Sequence, residues 1–297
     1  MSFLIDVIYG LSLGAIYAMI ALGYTMVYGI AKMLNFAHGD IITVGAYTVI
    51  IVSSTVLVPA INLPVWVGFI AAIAICALLG VLIEKIAYKP LRGASSLAVL
   101  ITAIGVSYFL QNLFSLLFGT QSYSFPNIPL FNTAWYITEE YSIKSGDVFT
   151  LIFAVIIMIG LTLFVKKTQT GRAMLAVSED KSAAQLMGVN VNRTISVTFL
   201  IGSALAAVAG ICYGYTRIYI GPMEGALPGI KAFIAAVIGG IGSIPGAFIG
   251  GLVLGLIEYF SQRFVPDWVD VIVFGVLIVM LLVKPTGILG KKQREKV

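Results

Sequence analysis

Ionisable side chains are scarce in the apolar stretches of this 297-residue chain, so the few that occur there are the first candidates for chemistry. His38 precedes Asp40 by two residues and could titrate near neutral pH as part of a proton relay. A single histidine beside one aspartate is more often a hydrogen-bonded structural residue, and that is our interpretation. Lys231 and Glu258 lie at the edges of a long apolar stretch, where such side chains can extend to the membrane surface. We therefore predict a surface position for both.

The sequence contains no motif typical of an enzyme site. There is no nucleophile elbow, zinc motif or phosphate-binding loop, and a single histidine cannot form a histidine-based metal site. Cys76 and Cys212 lie in apolar segments, where we expect them to pack between helices. A membrane-embedded enzyme is therefore disfavoured. We expect no cofactor or metal on this chain, and any ATP-driven process would need a separate ATPase chain.

An ion-coupled transporter is a further alternative, because such proteins need acids embedded in the membrane. Apart from Asp40, the acids Asp6, Glu84 and Glu258 lie near the predicted ends of spans. Their positions disfavour ion coupling.

The composition is that of a polytopic membrane protein. Hydrophobic residues make up 60% of the chain and charged residues 10%, against about 25% charged residues in soluble domains. The basic residues cluster beside the spans and form no stripe interleaved with exposed aromatics, which indicates a lipid partner and no nucleic acid. We predict one all-α membrane domain over residues 1–297, with about eight to nine transmembrane segments, some of them interrupted. The predicted spans are 4–30, 41–58, 65–83, 95–118, 148–165, 194–213, two parts of 230–260, and 269–283.

Charge in the connecting loops predicts the orientation of the chain. The loop 84–93, the polar segment 166–193 and the tail 284–297 are all net basic, and basic loops remain in the cytoplasm. The loops 119–147 and 261–270 are net acidic and should face the other side. The C-terminus is therefore predicted to be cytoplasmic.

Two breaks interrupt apolar runs with small and polar residues. Irregular backbone at membrane depth must be covered by protein or line a water-filled cavity, and paired interruptions in two halves of a chain indicate a transport path and an inverted repeat. Ordinary turns at the membrane surface are the alternative. The glycines of the second break, spaced four apart, also favour close helix packing, within the chain or against a second subunit. The candidate path residues are Asn35, Phe36, His38 and Gly39 in the first break, and Gly239, Gly240, Gly242, Ser243, Pro245 and Gly246 in the second.

The segment 166–193 contains a predicted amphipathic helix between two basic flanks. We expect the helix to begin at Glu179, where an acid suits the helix dipole, and to end at Gly188. Such a helix could dock on a soluble motor subunit, whereas the alternative is a connecting loop with an incidental helix. The candidate coupling residues are Glu179, Asp180, Ala183, Ala184, Leu186, Met187 and Gly188.

Several sequence blocks in order resemble permease subunits of the branched-chain amino acid ABC importers, of the LivH type. The resemblance covers nearly the whole chain, and the blocks are ALGYTMVYGI (21–30), NFAHGD (35–40), ITAIGVSYFLQN (101–112), GRAMLAVSEDKSAAQLMGV (171–189), KAFIAAVIGGIGSIPGAFIGGLVLG (231–255) and KPTGILG (284–290).

The resemblance implies the ABC-importer permease fold in a multi-pass subunit of the bacterial inner membrane. Its implied partners are a second, homologous permease subunit, two cytoplasmic ATPase subunits that hold ATP and Mg²⁺, and a periplasmic substrate-binding protein. It implies that the substrates are Leu, Ile and Val, and that the loop 179–188 docks on the ATPase. Related permeases of the same fold carry urea, short amides or other small carboxylates, which remain alternative substrates.

Overall fold

The computed structural model describes residues 2–54, 57–58, 61–128, 131–138 and 141–290, so the predicted tail lies outside the described residues from position 291 onward. The α-helices among these residues are α1 Ser2–Ala31, α2 His38–Ser53, α3 Val65–Ile83, α4 Ser96–Phe118, α5 Ser145–Lys167, α6 Gln169–Glu179, α7 Lys181–Leu186, α8 Val191–Arg217, α9 Ala226–Gly239, α10 Ile244–Phe264 and α11 Val269–Val283.

Seven continuous helical stretches among the described residues are long and apolar enough to cross a membrane, namely α1, α3 with its continuation to residue 91, α4, α5, α8, α10, and α11 together with the turn 266–268 that precedes it. The helices α2 and α9 are apolar but shorter. Helices dominate because each satisfies its backbone hydrogen bonds internally, as a lipid environment requires. The prediction of eight to nine segments with interruptions is confirmed, and the predicted bounds of α3 and α11 coincide with the observed ones.

Two units of four helices, α1–α4 and α8–α11, repeat one pattern. In each unit a long helix is followed by an irregular break and then by a short helix. The breaks begin at Lys32 and Ile218, which are the described non-glycine residues with positive φ. The packing is also reciprocal, because α1 lies along α10 and contacts α9, while α8 lies along α3 and contacts α2. Since α5 crosses once between the units, the second unit runs in the opposite direction to the first.

The sequence analysis treated its two breaks as equivalent positions of an inverted repeat, and the structure shows that this pairing is wrong. The break 32–37 between α1 and α2 corresponds to 218–225 between α8 and α9. The turn 240–243 joins α9 to α10, so its counterpart is the connection between α2 and α3. The two breaks chosen from sequence are therefore not equivalent. The first is rich in polar residues and the second in glycine, and the structure gives each a different reason.

Small residues allow the central helices to approach closely. A Cβ atom added to Gly14 would lie 2.7 Å from the Cα atom of Leu252, and one added to Gly255 would overlap Gly14. A Cβ atom on Gly250 would overlap the carbonyl oxygen of Ala235. The predicted small-residue packing of α10 is thus present within the chain, against α1 and α9.

Short strands occur outside the membrane helices, and the all-α prediction did not include them. The strand β1 Tyr123–Ser124 pairs antiparallel with β4 Tyr219–Ile220, and β2 Ala134–Thr138 pairs antiparallel with β3 Tyr141–Lys144. These ladders satisfy backbone groups that the helices leave free. The first ladder also ties the loop after α4 to the break after α8. We call this the hairpin end of the molecule.

The opposite end contains the basic segments. The Lys181 ammonium donates to the Ala31 carbonyl at the end of α1 (3.1 Å), and Arg92 contacts Asn192 at the start of α8. A Cβ atom on Gly29 would lie 3.3 Å from Gly242. The ends of α1, α3 and α9 and the start of α8 therefore lie together, at what we call the basic end.

Candidate functional site

The two short helices meet at their N-termini, in the middle of the bundle. The Gly225 backbone N–H donates to the Thr43 hydroxyl (2.9 Å). A Cβ atom on Gly39 would lie 2.6 Å from the Gly225 carbonyl oxygen and 3.0 Å from the Gly229 Cα atom. Only glycine allows this approach. Two half-helices that begin inside a membrane bundle and run in opposite directions are typical of transport proteins built from inverted repeats.

The first predicted break is buried, so the surface-turn interpretation is wrong for this segment. The Tyr88 hydroxyl donates to the Asn35 side-chain oxygen (2.9 Å), and the Gln111 amide donates to Asp40 (2.9 Å). The rings of Phe36 and Phe233 are 5.7 Å apart. These contacts hold an irregular backbone inside the protein, as its depth requires.

The imidazole of His38 is buried between helices. Its ring lies 4.6 Å from that of Tyr24, and a Cβ atom added to Gly23 would overlap it. Gly23 also approaches Gly202 of α8. His38 thus fills the space where α1 and α8 cross, next to the start of α2.

The second predicted break is a packed turn at the basic end. Gly240 and Gly242 have φ of 104° and 94°, a conformation that favours glycine. Residues of the KPTGILG block cover the turn, because the N–H groups of Ile288 and Leu289 donate to carbonyl groups of Ile238 and Gly239 (2.8 and 2.9 Å).

The start of α10 explains three further candidates of this turn. Ser243 caps the helix by accepting from the Gly246 N–H (3.2 Å), and Pro245 occupies its first turn. A Cβ atom on Gly246 would overlap the Gly239 carbonyl group. The turn therefore fixes the angle between α9 and α10.

Lys231 and Glu258 form a buried ion pair, which corrects the prediction that both extend to the surface. The Lys231 ammonium lies 2.8 Å from the Glu258 carboxylate and 2.9 Å from that of Asp270. Lys231 lies on the side of α9 that packs against α10 and α11, and this packing shields its side chain from lipid. Removing one partner of such a pair is strongly destabilising, because the other charge stays buried.

Other acids that the sequence placed near span ends are also buried and paired. Arg263 lies 2.8 Å from Asp6, and Arg92 binds Glu84, which also accepts from the Ser196 hydroxyl (2.6 Å). The sequence analysis excluded these acids as ion-coupling sites because they lie near the ends of predicted spans, and their burial contradicts that reason. Their pairing with cations and hydroxyl groups nevertheless gives them structural partners.

A cavity of about 390 Å³ opens at the hairpin end, beside the break 218–225. None of the ten path residues predicted from sequence lines it. Its charged groups are Arg217, Glu224 and Lys231, and Tyr17 and Tyr213 add hydroxyl groups. The sequence offered one signal, since Gly221, Pro222 and Gly225 follow a long span just as Asn35 to Asp40 do. These residues lie between the predicted spans 194–213 and 230–260, and the sequence analysis gave them no role.

The polar segment 166–193 forms two helices rather than one. Glu179 is the last residue of α6, and Asp180 caps α7 by accepting from the N–H groups of Ser182 and Ala183 (2.9 Å each). The predicted role of Glu179 at the helix start is therefore wrong, because Asp180 has it. Gly188, with φ of 84°, ends the segment as predicted.

One exposed side of α7 and of the residue that follows it is apolar, while Ser182 and Gln185 are exposed beside it. Leu186 and Met187 are 89% and 84% exposed, and Ala183 on the same side is exposed too. Ala184 is 3% exposed and anchors the helix to the protein. Exposed large apolar residues on a polar segment are typical of a protein interface.

A cleft of about 510 Å³ separates α7 from the loop after α3. Lys181 lines it, and burial together with the cations Arg92 and Lys32 lowers the pKa of this lysine below its usual value. The cleft keeps α7 partly detached from the bundle along one side.

An inverted pair of half-helices, a membrane-spanning bundle and an exposed apolar helix at one end define the chain as a transport permease. The family model for the permease component of the branched-chain amino acid transport system matches residues 7–282. The chain belongs to this family.

Individual relatives match over almost the whole chain. The Escherichia coli K12 protein LivH, a high-affinity branched-chain amino acid transport system permease protein, is 44% identical over 99% of this chain and 98% of its own length. BraD of Pseudomonas aeruginosa, with the same description, is 43% identical over the same shares. A probable LivH of Methanocaldococcus jannaschii is 30% identical over 92% of this chain and 88% of its own. No solved structure matches the chain.

Proposed function

We propose that this chain forms the path for branched-chain amino acids across a bacterial inner membrane, as one permease subunit of an ATP-driven importer. The observation that supports this most is the 44% identity to LivH over 99% of the chain. The meeting of α2 and α9 supports the path, because two oppositely directed half-helices can open alternately to either side. The chain acts by changing conformation and performs no chemistry on its substrate.

The energy comes from separate subunits in this proposal. The relatives are permease components of a transport system, so ATP and Mg²⁺ belong on two ATPase subunits that dock at α7. A second, homologous permease subunit completes the path, and a substrate-binding protein delivers the amino acid at the hairpin end. The exposed apolar faces of α4 and α11 contact lipid or the second permease.

Co-purification and uptake test this function together. The tagged chain, isolated from its native membrane, should bring an ATPase with it, and vesicles containing the complex should take up leucine only when ATP and the binding protein are present. Uptake that persists without ATP and is stopped by an ionophore would indicate an ion-coupled transporter instead. Preference for urea or short amides over leucine would support the alternative substrates.

The basic end faces the cytoplasm in this proposal, as the positive-inside rule requires. A single cysteine in place of Ser178, between α5 and α7, should resist a membrane-impermeant thiol reagent in intact cells. A cysteine in place of Thr133, which is exposed at the hairpin end, should react. Mass-tag labelling before and after permeabilisation measures both, and the reverse pattern would invert the orientation.

A further inference from the structure

We infer that the cavity at the hairpin end binds the amino and carboxyl groups shared by α-amino acids, with Arg217 holding the carboxylate and Glu224 the ammonium group. The inference rests on the proposed function and adds to it a named binding site. The cavity volume of about 390 Å³ lies within the roughly 300–1,000 Å³ of small-molecule pockets.

The charges of the cavity are arranged around one aromatic ring. The guanidinium carbon of Arg217 lies 5.6 Å from the centroid of the Tyr213 ring, and the Tyr213 hydroxyl donates to Glu224 (3.4 Å). One cation and one anion therefore flank the same side chain. A ligand that spans the ring can contact both.

These two charges are available, whereas the third is not. Lys231 is already paired with Glu258 and Asp270. Neither Arg217 nor Glu224 belongs to any of the ion pairs found in the described part of the chain. Arg217 and Glu224 attract each other across Tyr213 without forming an ion pair. A zwitterion bound over the ring can contact both charges, whereas a simple anion or a simple cation can contact only one. Arginine also offers the forked geometry that suits a carboxylate.

One side of the remaining lining fits an aliphatic side chain, while Ser115, Thr120 and Ser122 add hydroxyl groups elsewhere. Met223, Leu227 and Pro228 form an apolar wall beside the charged groups. Such a wall favours a branched hydrocarbon over a polar substituent because its burial removes apolar surface from water. The position of the cavity, beside the break that leads to the start of α9, places the ligand at the entrance between the two half-helices.

Protection of a cysteine tests the site directly. In the purified complex with its ATPases and without the binding protein, Leu227→Cys should react with a charged thiol reagent, and leucine should slow that reaction. Isopentylamine, which lacks the carboxylate, and 4-methylpentanoate, which lacks the ammonium group, should not protect. Thr133→Cys serves as the control, because it lies at the same end and outside the cavity, and leucine should leave its rate unchanged.

Charge removal then identifies the contacts. Arg217→Gln and Glu224→Gln should each raise the leucine concentration needed for protection by roughly ten- to hundredfold, the usual loss for a hydrogen bond to a charged group. Lys144→Gln removes an exposed cation at the same end and should change nothing. Both target side chains are exposed, so membrane levels should equal those of the wild type.

The outcomes separate this inference from the proposed function. Leucine uptake without any protection of Leu227→Cys would overturn the site and leave the proposed function intact. Protection by other α-amino acids, with no uptake of leucine, would support the site and contradict the branched-chain assignment. If Arg217→Gln impairs uptake but leaves protection unchanged, Arg217 contacts the binding protein and the inference is wrong.

Discussion

Replacing Ala183 with aspartate is expected to abolish leucine uptake and to prevent co-purification of the ATPase. Ala183, Leu186 and Met187 form the exposed apolar face of α7. An unpaired charge buried in a partner interface costs about 3–5 kcal/mol, which is more than a hundredfold in affinity. The permease itself should reach the membrane in normal amounts, and tag purification followed by quantitation of the ATPase measures the loss.

The position of Ala183 makes this test specific for the partner. It lies three residues after the cap Asp180, where an acid favours the helix dipole, so Ala183→Asp should not unfold α7. Ala183→Ser provides a matched control of similar size without charge, and it should retain uptake. Normal uptake and normal ATPase recovery in Ala183→Asp would mean that α7 is a passive connection.

Replacing Gly246 with leucine should also reduce uptake by at least about tenfold, through a different cause. Any side chain at this position overlaps the carbonyl group of Gly239, and overpacking typically costs about 1–3 kcal/mol or more. The angle between α9 and α10 must then change, which displaces the half-helix α9. Uptake in vesicles, normalised to the amount of permease by immunoblot, is the measurement.

Two other glycines provide matched controls for Gly246→Leu. Gly160 in α5 has no atom within 4 Å of an added Cβ atom, so Gly160→Leu should transport normally. Gly242 has more space than Gly246, with the nearest atom 4.0 Å away, but its φ is positive. Gly242→Leu should therefore show an intermediate loss from backbone strain, roughly 1–3 kcal/mol. Equal uptake in all three variants would show that the turn does not affect the path.

The sequence predicted the spans well because a membrane makes hydrophobicity decisive. Apolar runs free of charge predicted the first and last residues of α3 and α11 correctly. Polar or glycine-rich interruptions marked the positions of the short helices. The same rule failed at Lys231 and Glu258. Hydrophobicity along the chain does not reveal which helices pack together, and the ion pair joins α9 to α10 and α11.

Candidate residues were predictable where the signal was local. The end of the polar segment's second helix at Gly188 and the apolar residues of α7 follow from short-range patterns. The cavity was missed because its lining comes from α1, α4 and the loop after it, α8, the break 218–225 and α9, and each contributes only one to four residues. The correspondence of 32–37 with 218–225 was missed for a related reason. Positive φ at Lys32 and Ile218 is set by tertiary structure and has no signature in those residue types.

The reciprocal packing of the two units also has a consequence for biosynthesis. Helix α1 leaves the ribosome first, yet its small-residue face is completed by α10, near the end of the chain. At about 5–20 residues per second, the interval between the two helices is on the order of ten to fifty seconds. During this time α1 can insert but cannot reach its final packing. The nascent first half should therefore depend on insertion factors that shield it, and any truncation before residue 244 should produce a substrate for membrane proteases.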